Sequence, residues 1–326
     1  MAYITDIIAD TKRGFSVELM PPERHTNQEY MERYHHTVHE LMSRGPKFAT
    51  ITYHQDKMVP SPVGENEILL TPHKVRAGPD IIAAHFQGQY PDIPFAPHFI
   101  CGGFTRRETE NAAVQLPFVG IRNLILIRGD PNYEAVFKPE EGGHEHADSL
   151  IEQITAMEKG RFIEHEGDGI RLCKGFAGYP EKHYASPNLD TCVKMLLRKQ
   201  EAGGDFMITQ MCLDTDSILR FRDKCRHYGI TVPIMPGLKV VTRHSQLGGE
   251  KGLPAEFDIS VPQPLYEELI RYDAPQDVRS AGARWAVAQA ERLYSEGFQV
   301  VHFFTSSTKS TIPVLGALGF APTDSL

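Results

Sequence analysis

The chain has no apolar run approaching the ~18 consecutive residues that a membrane-spanning helix needs. Its N-terminus, MAYITDIIADTKRG, places Asp6 and Asp10 within the only short apolar stretch there, which interrupts the hydrophobic region a secretory signal requires. Cysteine is sparse: Cys101, Cys173, Cys192, Cys212 and Cys225 are odd in number, scattered and without a CxxC pair. Such spacing argues against a disulfide framework and against a zinc or iron–sulfur site, so no metal is expected and a reducing cytoplasm is the expected location. Basic clusters are missing too. With 34 Lys and Arg against 42 Asp and Glu the formal net charge is -8, the wrong sign and distribution for gripping a phosphate backbone or an anionic membrane surface. No nucleic-acid or membrane partner is expected. Nor does GxGxxG, the fingerprint of a dinucleotide-binding open sheet, follow any strand-like run.

What is present is a repeating unit. Short runs rich in β-formers recur at 15–20 (FSVELM), 48–53 (FATITY), 95–101 (FAPHFIC), 123–128 (NLILIR), 171–179 (RLCKGFAGY), 205–211 (DFMITQM), 232–238 (VPIMPGL) and 298–305 (FQVVHFFT). Between them apolar residues return every three or four positions, as in Tyr30, Tyr34, Val38 and Leu41 or Leu189, Val193, Leu196 and Leu197, and so share one helix face. Near-continuous apolar strands suit a parallel sheet covered on both sides, and the helices supply its crossovers. Eight strand–helix units in 326 residues predict an α/β fold, a (β/α)₈ TIM barrel forming a single domain over residues 1–326, with a doubly wound open sheet as the alternative. Segments 55–80 and 239–263, rich in Pro, Gly and mixed charge, read as loop-rich insertions over a barrel face.

The working face of such a barrel lies at the C-terminal ends of its strands, and polar residues gather there. Glu18 comes late in the first run, Thr52 ends the second, His98 lies in the third, and Arg128, Gly129, Asp130 and Pro131 end the fourth. Tyr179 and His183 follow the fifth, Gln210 ends the sixth, Pro236 and Gly237 the seventh, and His302 and Thr305 the eighth. A carboxyl inside an apolar strand resists ionisation, which makes Glu18 either a general acid for near-neutral pH or a buried Glu neutralised by a Lys or Arg. Asp130 is a second acid or a turn residue. Gln210 has the donor and acceptor to read an amide-like heterocycle edge, or it is a packing residue. Arg198 and Lys199 either neutralise a pyrophosphate or form a solvated helix end. The tract GGHEH at 142–146 carries two histidines but no third ligand at metal-site spacing.

The ordered set FSVELMPPER, FATITYH, APHFIC, LILIRGDP, GFAGYPEKH, ITQMCLD, LRFRDKCRHYGI, IMPGL and VHFFT covers nearly the whole chain and resembles the methylenetetrahydrofolate reductase family in its single-domain bacterial form. The resemblance implies a barrel that holds FAD at its C-terminal face and reduces 5,10-methylenetetrahydrofolate to 5-methyltetrahydrofolate by a ping-pong hydride relay. By position, Glu18 matches the acid that protonates the folate so that its imidazolidine ring opens to an iminium. Asp130 matches the carboxylate beside flavin and pterin, and Gln210 a pterin contact. Thr52, His98, Arg128, Gly129, Tyr179, His183, Arg198 and Lys199 match flavin-contacting positions. NADH or NADPH is the implied donor, with a protein electron donor as the alternative. A homo-oligomer without a fused regulatory domain is expected.

Departures from the family pattern are local. An Asp and an Asn on the helix before the sixth strand are replaced by Cys192 and Met195, and the segment VVTRHSQLGGEKG lacks the Phe that stacks on nicotinamide. An Arg expected after the last strand is replaced near Thr308, with Lys309 as a stand-in. Two other functions remain open: a flavin-free folate enzyme that transfers the one-carbon unit, and a folate-binding or partner-docking subunit with little activity.

Overall fold

Alternation along each strand decides which side chains enter the centre of the molecule. In the computed structural model, which describes residues 2–23, 27–64, 67–130, 137–305 and 308–323, Phe15, Val17 and Leu19 pack outward under the helices while Ser16 and Glu18 turn inward. Arg24 and Pro131, quoted in the sequence motifs above, lie outside the described residues. The strands are β1 (Gly14–Leu19), β2 (Ala49–Ile51), β3 (Lys57–Pro62), β4 (Ile68–His73), β5 (Phe95–Ile100), β6 (Asn123–Ile127), β7 (Cys173–Gly178), β8 (Phe206–Met211), β9 (Ile234–Leu238) and β10 (Val300–Phe304). Eight of them close a parallel barrel in the order β1-β10-β9-β8-β7-β6-β5-β2, with helices in the connections, as the repeating unit predicts. Several helices start on side-chain caps that satisfy the first free amides: Asn27, Thr105, Asn188 and Asp214 each accept from a backbone N–H one turn in.

The two ends of the barrel interior differ. At the N-terminal end Ala96, Ile125, Phe206, Met235 and Val300 form an apolar floor, plugged from below by Ile4 and Ile8 of the helix Ile4–Asp10. The amide of Ile4 is fixed by the Asn123 side chain at 2.8 Å. The titratable side chains that line the cavity lie at the opposite end.

The segment 55–80 is more ordered than its composition suggests. β3 and β4 pair antiparallel from Lys57↔His73 to Pro62↔Ile68. Pro60, Pro62 and Pro72 interrupt the strand-forming pattern, yet a ribbon with two free edges accommodates residues that lack an N–H. The segment 239–263 carries the short helix Leu253–Phe257, and Leu247, Leu253 and Ile259 bury themselves against Leu265, Leu269 and Val278 in a satellite core. Among the described residues no helix is long and apolar enough to cross a membrane.

Candidate active site

A cavity of about 1000 Å³ opens at the C-terminal ends of the strands. Among its titratable lining groups is Glu18. Because β1 alternates, the carboxyl turns into the barrel rather than under the helices, and 19% of the side chain stays exposed. Burial pushes its pKa up from 4.5 to about 7, and Lys239 pulls weakly the other way. His98 reaches in from β5 with Nε2 3.8 Å from the Glu18 carboxyl. Burial, reinforced by His54, drives that imidazole down to about 3, so it is neutral. His302, from β10, is also held neutral by burial, and its Nδ1 shares a hydrogen bond with Ser16 Oγ at 2.8 Å.

Gln210 owes its place to an irregularity in the ladder. Ile208 pairs with Met235 but Met211 pairs with Gly237, so β8 carries one extra residue in a bulge that re-aims its neighbours. Gly237 makes the bulge possible: a Cβ there would lie 2.3 Å from the Thr209 carbonyl oxygen. The Gln210 side-chain oxygen accepts from the Met211 amide at 2.9 Å, which leaves its NH₂ to face the cavity.

A cationic and aromatic side completes the wall. Arg128 donates to the Tyr184 hydroxyl at 2.7 Å and lies 5.0 Å above the Phe137 ring. Next to it Gly129 takes a left-handed φ of 82°, bringing the backbone to the cavity surface. His183 packs edge-on against Tyr179 at 4.6 Å, and burial beside Arg128 and Lys199 lowers its pKa to about 4. Thr52 Oγ1 shares a hydrogen bond with His54 Nε2 at 3.0 Å. Asp130 sits exposed at the rim, where its carbonyl accepts from Gln55 at 3.0 Å.

The structure therefore brings Glu18, Thr52, His98, Arg128, Gly129, Asp130, Tyr179, His183 and Gln210 to one cavity. Arg198 and Lys199 stand behind that wall. Arg198 pairs with the buried Asp148 at 2.7 Å, and Lys199 donates to the Ala177 carbonyl at 3.2 Å, its pKa lowered to about 8 by burial. Cys192 is buried in the same helix, Leu189–Glu201, and neither it nor Met195 reaches the cavity surface. Lys309 is exposed on the helix Thr308–Ala317. In the GGHEH tract His144 is fully buried, with its ring nitrogens engaged by Ser149 and Gln153.

Lys239 and Phe257 are among the wall residues that escaped the sequence reading. Lys239 follows β9 directly, and a lysine closing the apolar run IMPGL was a legible signal. Phe257 ends the short helix of the 239–263 segment and supplies an aromatic beside Gln210. Only folding reveals it, because it lies 19 residues beyond Leu238. The segment is clasped to the β7 end by Glu181, which accepts from the Ser260 amide at 3.1 Å, and by Lys182 and Asp258 at 3.4 Å.

The family model described as methylenetetrahydrofolate reductase matches residues 3–319. The chain belongs to the methylenetetrahydrofolate reductase family. It is 25% identical over 312 residues to methylenetetrahydrofolate reductase 1 of Schizosaccharomyces pombe, covering 93% of this chain and 45% of that protein. To the 5,10-methylenetetrahydrofolate reductase of Pectobacterium carotovorum it is 26% identical over 312 residues, covering 94% and 90%. The chain spans about half the length of several curated methylenetetrahydrofolate reductases it matches. Among solved structures, an uncharacterized protein from Clostridium thermocellum that binds two copies of 5-methyl-5,6,7,8-tetrahydrofolic acid superimposes with a TM-score of 0.59 at 15% identity, covering 96% of each chain. That likeness is one of fold.

Proposed function

We propose that this protein holds FAD at the barrel mouth and reduces 5,10-methylenetetrahydrofolate to 5-methyltetrahydrofolate. The observation that carries this reading is the Glu18 carboxyl, kept protonated up to about pH 7 on the wall of a cavity that also presents Gln210 and Asp130. The residues fit a flavin. Thr50 Oγ1 and His302 Nε2 line the cavity as buried polar atoms without hydrogen-bond partners, a pattern suited to a polar ligand. Arg128 and Lys182 supply positive charge for a pyrophosphate, Gly129 lets backbone approach it, and Tyr179 and His183 offer ring surface.

Bound FAD supplies the hydride chemistry, for which side chains have no equivalent. Glu18 passes its proton to the folate and so opens the five-membered ring to an iminium. Neutral His98 shapes the pocket beside it without lending positive charge. The Gln210 NH₂ donates to the pterin edge, and Asp130 at the rim accepts from it. The electron donor is NADH, NADPH or a protein. Phe257 provides a flat surface for a nicotinamide where the 239–251 stretch has none.

The experiment is an absorption spectrum of the purified protein reconstituted with FAD, followed by anaerobic additions of NADH, NADPH and 5-methyltetrahydrofolate. Flavin bands bleached by methyltetrahydrofolate are the expected result. Bleaching by a nicotinamide as well identifies the donor, and bleaching by folate alone points to a protein donor. No flavin uptake, with folate still bound, would replace this reading with a flavin-free or binding-only one.

A further inference from the structure

Three adjacent strands, β1, β10 and β9, bring Glu18 and Lys239 to the same end of the barrel. Glu18 on β1 is level with Phe304 on β10, and Phe303 is level with Leu238 on β9. The residue that follows β9 is Lys239, so Glu18, Phe304 and Lys239 lie at about one level of the barrel mouth. The Lys239 ammonium donates to the Phe304 carbonyl at 3.2 Å. Its hydrogen bond thus goes to a backbone oxygen on the strand between the two, and the charge is fixed near the acid without touching it. Thr305 binds the Glu18 carbonyl from the same edge of β10 and fixes the strand end.

We propose that Lys239 is the positioning residue for the proton of Glu18: an ammonium anchored on β10 that stabilises the carboxylate remaining after proton transfer and so sets the pH range over which the acid works. The proposal rests on the proton-donor role given to Glu18 above. A direct ion pair would keep the carboxyl ionised and useless as an acid, whereas no cation at all would leave the product carboxylate stranded in an apolar barrel. An ammonium one strand away lies between these extremes. Lys239 is the cation whose charge acts on Glu18, and Glu18 is the strongest of the charges that act on Lys239. The other groups facing the pair do not take over this task. His98 from β5 and His302 from β10 are neutral, and His54 acts on His98. Glu256 and Arg243, from the segment above, act on Lys239 with opposite signs.

Lys239→Gln keeps a donor for the Phe304 carbonyl and removes the charge, while Lys239→Arg keeps the charge. Infrared titration of the carboxylic-acid C=O band, assigned by its loss in Glu18→Gln, reads the proton on Glu18 without folate or turnover. The midpoint of about 7 in the unsubstituted protein is expected to rise by about one pH unit in Lys239→Gln and to return in Lys239→Arg. Lys239→Met is a second neutral variant should the Gln protein fail to fold. The alkaline limb for oxidation of the reduced flavin by 5,10-methylenetetrahydrofolate is expected to move the same way. An unchanged midpoint in both neutral variants, or an Arg variant that behaves like them, overturns the proposal. A shifted band in a protein that never reacts with methylenetetrahydrofolate supports the Lys239 coupling and overturns the reductase reading instead.

Discussion

His98 Nε2 stands 3.8 Å from the Glu18 carboxyl, and the two do not form an ion pair. Burial pushes the acid up to about 7 and the imidazole down to about 3, so between those values both are neutral. The carboxyl proton is available near neutral pH because no charged partner stabilises its loss at contact distance.

Replacing Glu18 by Gln removes that proton and little else, since the amide fills the same space. Oxidation of the reduced flavin by methylenetetrahydrofolate is expected to slow by on the order of 10²- to 10⁴-fold. Donor-driven bleaching, which takes no proton from Glu18, is expected to persist. Stopped-flow measurement of the two half-reactions checks this, and unchanged folate-driven oxidation would remove Glu18 from its role.

The same residue makes stability depend on pH. Its folded-state pKa lies above the ordinary 4.5, so its contribution is fully present below about 4.5 and is lost as pH rises through 7. A shift of this size corresponds to at most about 3 kcal/mol, reduced by the exposed fraction of the side chain. His98 and His302, lowered by burial, work in the opposite direction at acid pH, but they are common to both proteins and cancel in a comparison. Urea unfolding at pH 5 and pH 8 should therefore show Glu18→Gln gaining stability relative to its parent as pH rises. A constant difference would show that the carboxyl is not desolvated.

Gly282 lies in the helix Pro275–Ser295, where a Cβ would come within 1.8 Å of the Val241 carbonyl oxygen. Alanine adds up to about 1 kcal/mol of helix propensity at such a position. Overlap with a backbone atom outweighs that gain, and Gly282→Ala is expected to lose about 2 kcal/mol in urea unfolding. Because Val241 is two residues from Lys239, the alkaline limb of folate reduction should move as well. A stabilised variant would mean that helix and loop are not in contact.

The barrel was legible because its strands are near-continuous apolar runs and the helices between them keep an apolar face. The hairpin was not, since Pro60, Pro62 and Pro72 resemble loop residues until pairing is seen. Candidate wall residues such as Glu18, His98 and Gln210 could be named because parallel strands put their ends on one face. Their arrangement depended on features with no local signature: the β8 bulge, licensed by Gly237 on the neighbouring strand, and the fold-back of the 239–263 segment that delivers Phe257. Arg198 and Lys199 illustrate the converse. The family resemblance placed them at flavin-contacting positions, whereas Arg198 pairs with Asp148 and Lys199 donates to the Ala177 carbonyl behind the wall.

Barrel closure joins β1 to β10, the first strand to the last. During synthesis residue 18 leaves the ribosome long before residues 239, 304 and 305 exist. Until then its carboxyl is an ordinary hydrated anion, indistinguishable from any surface glutamate. The raised pKa of Glu18 is thus an emergent property of ring closure, and a nascent chain halted before β10 would carry every upstream wall residue with this carboxyl still an ordinary one.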